Sequence, residues 1–312
     1  MKKLISIVTP TFNEEKNIYS LVKEISFQMQ NLDCNYEHII IDNASTDDTQ
    51  KIITKLCLED KKVKAIFNTK NFGHIRSPYH AILQSKGDAI ILLAADFQDP
   101  PILIPQLIEK WKQGKSIVLL KRKKSKENII LEFFKKLFYK IINLISDTSL
   151  TQKTTGSGIF DKTIIDELRK IDEPYPYFRG LITEITDNID VVEFDQPKRS
   201  YGISKNNFFT LFDIAMLGII KHSKLPLRFM TVSGFVLSFS SLLAGLFFFV
   251  YKLLFWNSFQ LGLAPLILGL FFGISIQVFM LGIIGEYVGF ILTQVRKMPL
   301  VIEKKRINFN YE

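Results

Sequence analysis

The 312 residues carry a formal net charge of +9 and are 47% hydrophobic. Their length gives room for a soluble domain with its own core and for a membrane tail. The two cysteines exclude a disulfide framework and agree with a reducing compartment. The basic balance fits phosphate substrates and an anionic membrane surface better than nucleic acid, because the cations gather beside two apolar segments and in a few loops.

In chain order, 4–9 is a short apolar, β-branched run that predicts a buried strand. Met1–Lys3 leads straight into it, so no signal peptide is expected. Helical spacing follows over 15–30, with Ile18, Leu21, Val22 and Ile25 on one face. A second strand is predicted over 36–41, ending at Asp42. The next helix starts near Ser45 or Thr46 as cap, with Asp47 and Asp48 in its first turn. Strands over 63–67, 89–93 and 116–120 alternate with helices over 74–84 and 102–112. Strand–helix alternation predicts parallel strands joined by right-handed crossovers.

Ligands of such sheets bind beyond the carboxyl ends of the strands. Those ends carry Pro10-Thr11-Phe12-Asn13-Glu14, then Asp42-Asn43-Ala44-Ser45-Thr46-Asp47, then Asn71-Phe72-Gly73, then Asp96-Phe97-Gln98-Asp99-Pro100-Pro101. Neither a dinucleotide turn nor a phosphate-cradling lysine loop follows the first strand. Carboxylates after the fourth strand suit a hard divalent cation facing a diphosphate.

The segments 229–251 and 261–285 are each long and apolar enough to span a bilayer. Lys221, Lys224 and Arg228 precede them, and Arg296, Lys297, Lys304, Lys305 and Arg306 follow. Positive charge stays inside, so the head and both termini are expected to be cytoplasmic. Residues 206–222 carry apolar positions on one face, which suits a helix lying in the membrane interface.

These motifs in this order, followed by two spans, resemble glycosyltransferase family 2, and within it the polyprenyl-phosphate glycosyltransferases. The resemblance covers nearly the whole chain. It implies a GT-A type, Rossmann-like α/β domain over 1–205, an amphipathic juxtamembrane helix over 206–228, two transmembrane helices over 229–292 and a basic cytoplasmic tail over 293–312. It also implies inverting transfer of a sugar from a nucleotide-sugar donor to a polyprenyl (undecaprenyl) phosphate, for surface-glycan synthesis or modification. Pro10, Thr11, Asn13, Glu14, Asn71 and Gln98 would line the donor pocket, and Asp42 would meet the base or ribose. Asp96, with Gln98 and Asp99, would hold Mg²⁺ or Mn²⁺. Arg122 would screen charge after the fifth strand, and Arg199, Ser204 and Lys205 would contact phosphates. Arg179, in Tyr177-Phe178-Arg179-Gly180, resembles a segment near the acceptor and reads equally as a partner for a structural carboxylate.

Two departures from the family pattern stand out. Ala94 replaces the first acid of an Asp-x-Asp pair, and Gly156-Ser157-Gly158-Ile159 stands in place of a Gly-Asp-Phe-Arg-like motif, with Ser157 for the acid and no arginine. A phosphate monoester is already largely dianionic at neutral pH, so the acceptor needs orientation and charge screening more than a base. The same departures keep a catalytically silent, membrane-tethered nucleotide-sugar binder in view as the alternative. Asp99 before Pro100 reads equally as a helix cap. His74 and His80 lack a third ligand and read as surface or packing residues. Homo-oligomer formation through the two spans is left open.

Overall fold

The computed structural model describes residues 2–123, 154–197, 225–255 and 263–309. The apolar runs form an eight-stranded sheet in the order β7-β5-β6-β4-β1-β2-β3-β8. The strands are β1 (Leu4–Thr11), β2 (Asn35–Asp42), β3 (Val63–Asn68), β4 (Ala89–Leu92), β5 (Ile117–Arg122), β6 (Thr154–Asp161), β7 (Ile189–Phe194) and β8 (Glu303–Ile307). β1 pairs in parallel with β2 and β4, and β2 with β3, as the alternating pattern predicts. β6 runs antiparallel to both β4 and β5, and β8 antiparallel to β3.

Helices cover both faces of the sheet. One apolar cluster joins Ile5, Ile7 and Ile40 of the strands to α1 (Ile18–Gln30), α2 (Thr49–Glu59) and α4 (Ile104–Lys112) through Leu21, Ile25, Ile53, Leu56, Leu107 and Trp111. The other joins Val8, Ile39, Ile41 and Phe160 to α3 (Gly73–Leu83), α5 (Lys162–Lys170) and α6 (Phe178–Ile185) through Tyr79, Ile82, Leu168 and Leu181. Alternation along β2 divides its isoleucines between the two layers, as the two-residue period of a strand requires. Each fully buried aliphatic side chain contributes about 1.5–3 kcal/mol.

Three expectations change. α2 begins at Thr49, later than a Ser45 or Thr46 cap would place it. Asp47 stands just ahead of it, its Oδ1 accepting from the Thr49 N–H at 3.1 Å and its Oδ2 from the Glu15 N–H at 3.3 Å. The 3₁₀ turn Pro101–Leu103 has Pro100, not Asp99, at its N-cap position. The stretch 293–312, expected as a basic cytoplasmic tail with no strand assigned to it, contains β8, which extends the sheet beside β3.

Residues 297–309 therefore belong to the sheet unit, while 225–255 and 263–296 form a second compact unit. That second unit holds α7 (Leu225–Leu254) and α8 (Leu263–Val295). Pro226–Tyr251 and Gly269–Val295 are long and apolar enough to cross a membrane. Their apolar side chains stand bare, among them Phe235 at 74% and Leu242 at 69% exposure, as a lipid solvent allows. The expected interfacial helix over 206–222 lies outside the described residues.

Candidate active site

The loops after β1, β2 and β3 are stitched together at the carboxyl edge of the sheet. Asn13 adopts a left-handed backbone, φ 58°. Its N–H donates to Ser45 Oγ at 2.9 Å, and its Oδ1 accepts from the Thr46 N–H at 2.8 Å. The Glu14 N–H donates to Thr49 Oγ1 at 2.9 Å, and Glu14 Oε2 accepts from Asn17 Nδ2 at 2.7 Å. Thr11 is buried and donates to the Ile41 carbonyl at 3.1 Å. Pro10 sits beside it, half-buried, in register with Ile41.

Asp42 is fully buried. It accepts from Ser45 Oγ at 2.5 Å, the Ser45 N–H at 3.1 Å and Gln50 Nε2 at 2.7 Å. Burial pushes its carboxyl above the usual range, against the pull of these donors. Asp42 thus shapes the turn in which Ser45 and Thr46 sit.

A cluster of asparagines closes the third loop. Asn43 Nδ2 donates to Asn71 Oδ1 at 2.8 Å, and Asn43 Oδ1 accepts from the Phe72 N–H at 2.9 Å and Asn68 Nδ2 at 3.1 Å. Asn71 Oδ1 also accepts from the Gly73 N–H at 2.8 Å. Asn43 and Asn68 were given no role from the sequence. Their signal was their place at strand ends, where short amides bond to nearby backbone groups.

The loop after β4 holds the acids. Asp96 and Asp99 are 6% and 4% exposed. Phe97 between them has φ 59°, which turns the chain so that Asp96 Oδ1 accepts from the Gln98 N–H at 3.1 Å. Ser157 Oγ donates to Asp99 Oδ2 at 2.5 Å. Gly158 pairs with Leu92, so the start of β6 reaches the carboxyl end of β4 and delivers Ser157 there. Gly158 must be glycine, because a Cβ would stand 2.2 Å from the Val118 carbonyl oxygen. Gly156 has φ +85°, and a Cβ on it would meet Arg179 Nε at 2.7 Å.

Arg179 therefore lies against the β6 end of this edge. It also lies near His74, whose imidazole is held below its usual pKa first by loss of water and then by this cation. Arg122 ends β5, in register with Phe194, and its buried Nε has no hydrogen-bond partner among the described residues. Arg199, Ser204 and Lys205 lie outside the described residues.

The donor set after β4 is all oxygen. Among the described residues no cluster of three or more acids, histidines or cysteines could hold a metal by itself. Such a set fits a hard cation that takes its remaining ligands from phosphate and water, and not a soft or fully protein-caged metal. His80 is no metal ligand here, since its Nε2 meets Glu303 Oε1 at 2.5 Å.

A family model described as glycosyl transferase family 2 matches residues 6–169. The SfII prophage-derived bactoprenol glucosyl transferase of Shigella flexneri is 31% identical over 302 residues, covering 96% of this chain and 97% of that protein. An uncharacterized glycosyltransferase of Bacillus subtilis is 32% identical over 304 residues, covering 96% and 93%. The crystal structure of glucosyl-3-phosphoglycerate synthase from Mycobacterium tuberculosis, in complex with Mn²⁺, uridine diphosphate and phosphoglyceric acid, gives a TM-score of 0.51 at 18% identity. That match covers 70% of this chain and 76% of the other, and it shows a shared fold.

Proposed function

This chain belongs to glycosyl transferase family 2 and has a GT-A-like fold, and from that premise we propose that it transfers a sugar from a nucleotide-sugar donor to a polyprenyl phosphate at the cytoplasmic membrane face. The observation that carries the reading is the reach of the likeness. A bactoprenol glucosyl transferase matches 96% of the chain, the two apolar helices included.

The donor sits on the stitched loops, with Pro10, Thr11, Asn13 and Glu14 beneath it and Asn71 at its side. Asp42 acts through the turn that it holds, presenting Ser45 and Thr46. Asp96, with Gln98 and Asp99, would hold Mg²⁺ or Mn²⁺, which supplies charge to the departing nucleoside diphosphate. Ser157 fixes the Asp99 carboxylate. Arg122, Arg199, Ser204 and Lys205 screen the approach of the two anions. The acceptor phosphate, already anionic, attacks the anomeric carbon from the face opposite the leaving group, and the configuration inverts. Two spans keep the acceptor and product in lipid.

The test is nucleoside diphosphate release by the full-length chain in detergent, with undecaprenyl phosphate and either cation, across a panel of nucleotide sugars. Release that requires the lipid and disappears in Asp96→Ala supports the reading. Donor binding without release by any donor supports the silent binder, which the missing carboxylates at Ala94 and Ser157 motivate.

A further inference from the structure

Beside the carboxyl edge of the sheet lies a second cationic feature that the transfer reaction does not use. Lys70 Nζ is 5.3 Å and Arg76 Cζ 5.4 Å from the centroid of one ring, Phe72. Among the described residues neither cation forms an ion pair. Each cation is therefore open to an anion without displacing a carboxylate.

The strap 297–302 runs alongside. Arg76 Nη2 donates to the Pro299 carbonyl. The Thr69 N–H and Oγ1 both donate to the Ile302 carbonyl, at 2.9 and 3.1 Å. These bonds fix the strap against the Lys70–Arg76 turn. Val301 is buried, while Met298 and Ile302 stand 52% and 51% exposed. Lys297 is exposed and pairs with the equally exposed Asp172 at 3.6 Å, a pairing of little worth in water. Glu303, which follows the strap, is occupied by His80 and Arg306.

Continuity in the chain names the occupant. The strap begins two residues after Val295, where the apolar stretch of α8 ends. Cations combined with outward apolar side chains at that point match the chemistry of a bilayer surface. We propose that Lys70, Phe72, Arg76 and the strap 297–302 form a docking surface for an anionic bilayer, with headgroup phosphates over the two cations and Met298 and Ile302 entering the headgroup boundary. Asn71 lies between Lys70 and Phe72, so docking sets one wall of the transfer site at headgroup level, where a lipid phosphate arrives. This placement rests on α7 and α8 spanning a membrane and deepens the proposed function.

The experiment uses the full-length chain in nanodiscs, with an environment-sensitive fluorophore on Ile302→Cys and a quencher carried by the lipid. Cys34 and Cys57 are buried, at 8% and 0% exposure, and stay unlabelled. A second probe at Leu58→Cys, 71% exposed on α2 in the opposite layer, is the control. Quenching of the Ile302 probe is expected to rise when phosphatidylglycerol is added to phosphatidylcholine, and to fall with salt. Lys70→Gln should lower the docked-to-free ratio about fivefold, and Lys70→Gln with Arg76→Gln about 25-fold. Quenching equal in neutral and anionic discs, indifferent to Lys70→Gln, or equal at the Leu58 probe would overturn the proposal. So would a response of the Ile302 probe in detergent to inorganic phosphate with none to anionic lipid, which marks a soluble-anion site. The readout needs no turnover, so an inactive chain can still dock and an active chain can still fail to.

Discussion

The hydrogen bond from Ser157 to Asp99 joins β6 to the loop after β4, at the position where the family motif is expected to carry an acid. A hydroxyl satisfies a buried carboxylate without adding charge, whereas two acids at this distance would need a proton or a cation between them. Ser157→Ala should cost about 1–3 kcal/mol by leaving a buried acceptor short of a donor. A thermal midpoint equal to that of the parent would refute this role. Gly156→Ala should cost on the order of 1–2 kcal/mol from its positive φ, and its Cβ would displace the Arg179 guanidinium. It should also slow transfer, and unchanged stability and rate would show that the loop yields freely.

His38 gives a pH signature at the same scale. It is buried, its Nε2 lies 2.9 Å from Thr9 Oγ1, and burial lowers its pKa from 6.5 to about 3. The unfolded chain therefore binds a proton below pH 6.5 that the folded chain refuses. Stability falls as the pH drops through that window, by about 1.4 kcal/mol per unit. His74, also held low, adds the same sign. A melt series from pH 7 down to about 5 should show the slope, and His38→Gln should flatten it. An identical slope in the variant would contradict the assignment. The sequence showed which residues end the strands and could not show which of their atoms bond to one another. The burial of Asp42 and its three local donors are tertiary facts with no signal in the sequence. Asp99 looked equally like a cap because Asp-Pro is a helix-start signal, and its partner lies 58 residues away.

At the scale of elements, the first five strands and four helices were legible because their apolar residues recur with the right period. β6 was not, because Thr154-Thr155-Gly156-Ser157-Gly158 has little strand character and is held by neighbours on both sides. β8 was hidden for a different reason. Glu303-Lys304-Lys305-Arg306-Ile307 reads as a solvated charge run, and only the open edge of β3 makes it a strand. Arg306 anchors it to Glu303 and to Gln84 Oε1 at 2.9 Å, and His80 holds Glu303 from α3. Burial pushes the Glu303 carboxyl up, but these partners outweigh it and pull it down to about 2 from 4.5. Their stabilising effect is complete above about pH 4.5 and is lost as the pH falls towards 2. Removing residues 303–312 should bare the β3 edge and cause association through it. Size-exclusion profiles in detergent would show larger species, and an unchanged profile would mean that the edge is protected otherwise.

Across the whole molecule, β8 follows α8 yet lies in the same sheet as strands that precede α7. A chain whose two apolar helices cross a bilayer must then return to the side that it left, which agrees with two spans and a shared side for both termini. The most direct measurement is transfer of a radiolabelled sugar from its nucleotide into organic-extractable lipid by the purified full-length chain with undecaprenyl phosphate. The account predicts labelled lipid that needs the carrier phosphate and is lost in Asp96→Ala. Labelled donor that binds and stays water-soluble across the whole panel of nucleotide sugars would contradict it.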